Sequence, residues 1–465
     1  MGSPYRSVFK HQNRLPRTAA SENTRGKGKS HIGTFSLKPQ LRPAFLGFGL
    51  KMPRMSLIYA THCGSGTANR RQNSHQDRPV IMKPTNPLLS VSGTTIFEVM
   101  SRMARETGAL NLGQGFPDGN GPEDVVIRAQ EALVDRPNQY PPMLGLPELR
   151  QAVAAHNRRF YGLEVDWQTQ VIVTSGATEA LAASLFALIA PGDEVVLFEP
   201  LYDTYAPVVR QAGGVPRFVR LAPPHWTIPE ADLRAAFGPR TKAILLNTPM
   251  NPTGKVFSRS ELNLIADLVL HHDTYAVCDE VYEHLTFDDR QHVPLMTLPG
   301  MADRCIRIGS AGKTFSLTGW KVGYITAAPA LAASIGKAHQ YLTFTTPPNL
   351  QAAVAYGLEK DDGYFDGLSK EMAAKRDRLR LGLQAAGFTV LPCDGTYFLT
   401  CDLGPGVTDD KEYCLDLIRR AGVVAIPVSA FYDSTPPGHL IRFCFCKSDA
   451  LLDEAVARLV KASRA

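Results

Sequence analysis

For roughly two hundred residues after the glycine-rich loop LNLGQGFPDGNGP, short apolar runs alternate with helical stretches, which leaves few architectures open. The runs are VIVTS, EVVLFEP, KAILLN, AVCDE and CIRIGS, with one helix starting near Thr178 and another near Ser258. Ser258 and Glu261 form a capping-box pair ahead of Leu262, Ile265, Ala266 and Val269, so a helix begins there. Runs this apolar are buried on both faces, and strands joined through helices pair in parallel. The expected class is α/β, a large domain with a mostly parallel sheet between helices.

A chain of 465 residues exceeds what one core usually organises, so a second unit is expected. Helical spacing of Ile96, Val99, Met100 and Met103 opens the patterned region. Beyond Pro347 come a helix through Gln351 to Leu358, a charged helix from Met372 to Leu383, the strands TVLPC, GTYFLTCDL and HLIRFCFCK, and a terminal helix. This segregation suggests a smaller α+β domain, with Thr345 to Pro348 as the boundary and candidate hinge. The expected division is a leader over 1–81, an N-terminal segment of the small domain over 82–122, the large domain over 123–345 and the small domain over 346–465.

The formal charge of +6 does not indicate a nucleic-acid surface, because the basicity sits in the leader. Residues 1–81 hold fourteen of the 50 Lys and Arg but only Glu22 and Asp77 of the 44 acids, so the rest of the chain is net acidic. The leader has no helical or strand period. It reads either as a disordered or spurious extension upstream of Met82, with a cytoplasmic protein to follow, or as a mitochondrial transit sequence. The longest apolar stretch, around Ala180 to Ala190, is well short of the ~20 residues of a membrane span. Eight cysteines without CxxC spacing read as buried free thiols, with Cys444 and Cys446 on one face of a strand, and no metal centre is expected.

In open parallel sheets ligands collect beyond the carboxyl ends of the strands. The residues there are Gly176, Ala177 and Thr178 at a helix start, Tyr202, Asn251, Asp279 with Tyr282, and Ser310 with Lys313. The helix start suits a phosphate. GKT at 312–314 resembles the end of a nucleotide-binding loop, but Arg307 stands where that loop needs glycine. Lys313 and Lys321 suit instead a Schiff-base lysine beside phosphate ligands. Asp279 ends an apolar strand, where a carboxylate is costly unless partnered, and Glu280 reads as a cap of the next helix.

The ordered motifs NLGQGFPD, NTPMNPTGKVF, CDEVYEHL, GSAGKTFSLTGWKVGY, GTYF, AIPVSAFY and IRFCF resemble the class I/II aminotransferases of pyridoxal 5′-phosphate (PLP) fold type I. The similarity runs over about residues 86–462 and is greatest to the kynurenine aminotransferase, glutamine transaminase K and methionine aminotransferase group. It implies PLP held by Lys313 as a Schiff base, Asp279 on the pyridine nitrogen, Asn251 and Tyr282 on the phenolic oxygen, and Tyr202 stacked on the ring. Gly176, Ala177, Thr178, Ser310 and Lys321 match the phosphate site, and Tyr140 matches a tyrosine that reaches the neighbouring subunit's phosphate. Arg442 matches the clamp on the substrate α-carboxylate, assisted by Asn251 and the backbone at Gly115.

Two positions depart from the related animal enzymes: Phe344 with Thr345 replaces an aromatic–histidine pair from the partner subunit, and Phe97 replaces a tryptophan. Both touch the side-chain pocket. The resemblance implies ping-pong transamination between an amino acid and a 2-oxo acid in a homodimer with sites at the subunit interface. With no second arginine for a distal carboxylate, aromatic, sulfur-containing or glutamine-like donors are expected. β-Lysis of cysteine S-conjugates remains open on the same site. A PLP-sensing transcription regulator would need a winged-helix domain, and the leader is too irregular for one.

Overall fold

The computed structural model describes residues 83, 85–90 and 95–464; the expectations for 1–81 lie outside the described residues. In chain order the strands are β1 Leu110–Asn111, β2 Val171–Thr174, β3 Glu194–Glu199, β4 Val215–Arg220, β5 Thr241–Asn247, β6 Tyr275–Asp279, β7 Cys305–Ser310 and β8 Gly323–Ala327. They continue with β9 Thr389–Val390, β10 Phe398–Asp402, β11 Val423–Val424, β12 Ile426–Pro427 and β13 Leu440–Cys444.

One sheet has the order β2-β8-β7-β6-β5-β3-β4. Strands β3 to β7 are parallel, and β8 alone runs antiparallel to both its neighbours, β2 and β7. The five apolar runs of the sequence are all strands of this sheet. Two further strands, β4 and β8, lie outside them. In β4, VPRFVR, the residues at the two ends are exposed, as suits an edge strand with only one neighbour. In β8, the run GYITA follows directly on the lysine loop and opens on glycine, a weak strand former.

Side chains two apart share a face. Val195, Leu197, Ala243, Leu245, Val277 and Ile308 therefore join one cluster with residues of the helices Gly176–Leu188 and Pro329–Leu342. Val196, Phe198, Ile244, Leu246 and Cys278 face the opposite cluster, which includes Leu262, Ile265 and Val269 of helix Arg259–His271. Each such Leu or Ile contributes about 1.5–3 kcal/mol by leaving water. The expected capping box is formed: the Ser258 N–H donates to Glu261 Oε2 at 2.9 Å, and the Glu261 N–H donates to Ser258 Oγ at 3.3 Å.

The C-terminal segment forms a four-stranded antiparallel sheet, β12-β13-β10-β9, flanked by helices Asp362–Ala385, Asp410–Ala421 and Asp449–Ser463. The chain before the large sheet pairs with this segment in a separate two-stranded sheet, β1 running parallel to β11. The cluster on the large sheet continues without a break into Ile426, Ile441 and Phe443 of the small one. A pocket between the two sheets is therefore walled by both.

Thr345 to Pro347 links two helices: Pro329–Leu342 ends before it, and Pro347 and Pro348 open Pro348–Leu358, where a missing N–H costs nothing. One expectation changes: Glu280 caps no helix. It is fully buried, and its Oε2 accepts from Arg307 Nε at 2.6 Å and lies 3.0 Å from His292 Nε2. Arg307, in mid-strand β7, also pairs with Glu283 and donates to Asn157 Oδ1 at 2.8 Å. A buried carboxylate is tolerated where a guanidinium meets it. Among the described residues no helix is long and apolar enough to cross a membrane.

Candidate active site

The carboxyl ends of β5, β6 and β7 carry Asn247, Asp279 and Ser310, and all three open on one cavity of about 480 Å³. This is the crevice where parallel sheets hold ligands. Of the residues singled out from the sequence, Phe97, Gly115, Gly176, Ala177, Thr178, Tyr202, Asn251, Asp279, Tyr282, Ser310, Lys313, Lys321 and Arg442 line it. Tyr140 and Phe344 do not. Their rings meet edge to face with centroids 5.6 Å apart, and Tyr140 is 84% exposed.

At one end the helix Gly176–Leu188 presents its N-terminus. Gly176 has φ +76°, open to glycine, and a Cβ on Gly323 would lie 2.6 Å from the Gly176 carbonyl carbon, so glycine lets β8 approach the helix start. Lys321 Nζ lies 3.5 Å from Thr178 Oγ1. Backbone N–H groups, the positive helix end, an ammonium and the Ser310 hydroxyl make a cradle for a phosphate dianion.

Asp279 is 4% exposed, and its Oδ2 accepts from the Tyr205 hydroxyl at 2.6 Å. Burial pushes its pKa up, against the opposing pull of Tyr205 and of nearby Lys313. Its carboxylate has no salt-bridge partner among the described residues, which suits a ring nitrogen that carries a proton. Burial likewise lowers the pKa of Lys313 and favours its neutral amine. Lys313 Nζ donates to Tyr397 Oη at 2.9 Å, and Tyr397 donates to the Gly115 carbonyl at 2.8 Å.

Arg442 is 1% exposed and lies in mid-strand β13. Nη1 donates to Asn251 Oδ1 at 2.7 Å and Nη2 to the Gly113 carbonyl at 2.9 Å, while buried Nε has no hydrogen-bond partner among the described residues. The guanidinium stacks on Phe398 at 3.9 Å from the ring centroid and lies 5.5 Å from that of Phe97. Burial pulls its pKa down to about 10. A guanidinium enclosed without a carboxylate partner, and open to a cavity, is built to receive one.

Sequence reasoning missed Tyr205, Asn247, Asp203 and the role of Tyr397. Tyr205 lies three residues beyond Tyr202 in EPLYDTY, a spacing that could have suggested a second aromatic at the same place. Tyr397 is 84 positions from Lys313, and nothing local marks the contact.

The family model for aminotransferases of class I and II matches residues 107–459. A probable N-succinyldiaminopimelate aminotransferase of Mycobacterium tuberculosis is 45% identical over 378 residues, 79% of this chain and 95% of the relative. The methionine aminotransferase of Escherichia coli is 40% identical over 380 residues, 80% of this chain and 98% of the relative. Among solved structures, that of the N-succinyldiaminopimelate aminotransferase from M. tuberculosis aligns with TM-score 0.79 at 45% identity, over 82% of this chain and all of that one. Matches that span nearly the whole described length make this chain a member of the class I and II aminotransferases, PLP-dependent enzymes of fold type I.

Proposed function

We propose that the chain moves an amino group between an L-amino acid of aromatic, sulfur-containing or glutamine-like type and a 2-oxo acid, by a ping-pong sequence centred on Lys313. The observation that carries this reading is that Lys313, Asp279 and the carboxylate-free Arg442 open on one cavity. PLP bound there supplies an electron sink conjugated to the substrate Cα. Arg442 holds the α-carboxylate in a bidentate pair, with Asn251 and the Gly115 backbone beside it, and so fixes which bond at Cα stands across the ring. The neutral Lys313 amine takes the Cα proton and later returns it. Asp279 keeps the pyridine nitrogen protonated, and Asn251 and Tyr282 hold the phenolic oxygen. Gly176, Ala177, Thr178, Ser310 and Lys321 hold the phosphate, and Tyr202 covers the ring.

Exposed Tyr140 and Phe344 act in the partner's site, so the working unit is a homodimer. Residues 123–345 form the cofactor-binding domain, and 82–122 with 346–465 the smaller one. To test the assignment, the protein is loaded with PLP, reduced with borohydride and digested. The expected result is a pyridoxyl adduct on the Lys313 peptide, with no adduct and no transamination in Lys313→Ala. Transamination that survives in that variant would overturn the reading.

A further inference from the structure

Once the cofactor and an α-carboxylate have been given their partners, one charge in the cavity is left over. The charged residues that line it are Lys313, Lys321, Arg442, Asp279 and Asp203. The first four are matched above to the cofactor and the α-carboxylate. Asp203 is not. Among the described residues it forms no ion pair, and its one side-chain hydrogen bond there is from the adjacent Thr204 hydroxyl at 3.4 Å. It is half-buried, follows directly on Tyr202, and lies close enough to Arg442 for each to act on the other's charge.

We propose that Asp203 is a specificity determinant: it favours amino acids whose side chain ends in an N–H donor and disfavours those that end in a carboxylate. The proposal rests on the reading that Arg442 takes the α-carboxylate. Asp203, Phe97 and Thr95 line the same cavity as Arg442, so a substrate so anchored has its side chain in a space that Asp203 borders. An amide or aniline N–H there meets an acceptor with spare lone pairs. A distal carboxylate meets a like charge in a partly desolvated site, with no lining arginine other than Arg442 among the described residues to offset it. At separations of about 6 Å and an effective permittivity near 20, reduced by water in the cavity, the penalty is on the order of tenfold or more in affinity. Burial pushes the Asp203 pKa up, against the pull of Thr204 and Arg442.

Glutamine and glutamate isolate the effect, because they are near-isosteric and differ in an amide against a carboxylate. The PLP-loaded full chain is mixed with each, and kcat/KM of the amino-donor half-reaction is read from cofactor absorbance. Dissociation constants of glutarate and of its monoamide are measured by the same signal. The wild type should prefer glutamine, and the monoamide, by about tenfold or more. Asp203→Asn should shrink both ratios by about as much, mainly through gains for glutamate and glutarate, while Asp203→Glu, which keeps the charge, should retain the preference. Ratios unchanged in Asp203→Asn, or a wild type that prefers glutamate, would overturn the role of Asp203 while leaving transamination intact. A chain that converts no donor and forms no borohydride adduct at Lys313 overturns the functional reading and this proposal together.

Discussion

That Lys313 and Asp279 face the cavity was legible in the sequence because a strand end fixes where a side chain emerges, and the strand is written locally. The contact of Tyr397 was not. Its hydroxyl bridges Lys313 and the Gly115 carbonyl, residues brought together only when the small sheet docks on the large one. By accepting from the amine, Tyr397 restricts the rotamers of a flexible side chain, and it gives the ammonium form some stabilisation. Phenylalanine at this position keeps the ring and removes the acceptor. In Tyr397→Phe, kcat should fall about tenfold, the value of one such bond, with KM changed less. The isotope effect with 2-deuterated amino acid should grow, and the acid limb of the kcat profile should move to lower pH as the lysine loses a partner for its charged form. A purely structural tyrosine would move neither the isotope effect nor the limb. Asp203 was hidden for another reason: a carboxylate in a loop is ordinary in sequence, and only the roles proposed for the other charges of the cavity mark it out.

At the level of elements, the apolar runs gave the sheet because each strand is buried on both faces. The strands that escaped lack an uninterrupted apolar run: β4 is an edge with exposed ends, and β8, though buried throughout, opens on glycine. Glu280 was misread because a strand-end carboxylate looks like a cap until its partner is known, and Arg307 lies on the neighbouring strand. Around Arg307 the core holds Glu280 and Glu283, with the imidazole nitrogens of His156 and His284 sharing a contact of 2.8 Å beside them. Removing the guanidinium strands two buried carboxylates. Arg307→Met should lower the free energy of unfolding by about 3–5 kcal/mol at neutral pH. The pH dependence follows from the carboxyl of Glu283. Against the upward push of burial, Arg307 holds it well below the usual carboxylate range. A folded pKa below the unfolded one gives stability that is present above the unfolded value and is lost as pH falls through the folded one. Without Arg307, burial raises the folded pKa above the unfolded value, and the sign reverses: the variant is penalised at high pH and relieved as pH falls. The difference in urea unfolding free energy between wild type and Arg307→Met should therefore shrink from pH 8 to pH 5. A difference that is constant across that range would show that the two carboxylates are not the source of the loss.

The whole molecule is where the chain's own sequence is least informative, because a residue that works in another subunit makes its working contacts outside its own chain. Tyr140 and Tyr341 are 84% and 85% exposed, and Phe344 packs on Tyr140 while itself 39% exposed. An exposed aromatic pair such as Tyr140 and Phe344 is the kind of surface that a second copy covers. If Tyr140 completes the phosphate site across that face, its loss must be complemented by the other subunit. Tyr140→Phe homodimers should hold PLP about tenfold more weakly, the cost of one charge-assisted hydrogen bond, and Lys313→Ala homodimers should form no adduct. A hybrid of one Tyr140→Phe chain and one Lys313→Ala chain, isolated through two different tags, then contains a site with Lys313 from the first and Tyr140 from the second. That site is intact, and its companion lacks both groups. The hybrid should bind PLP at one site with wild-type affinity and show half the wild-type activity per dimer. Were Tyr140 to act within its own chain, the only lysine-bearing site would carry the phenylalanine, and the hybrid would titrate as weakly as the Tyr140→Phe homodimer.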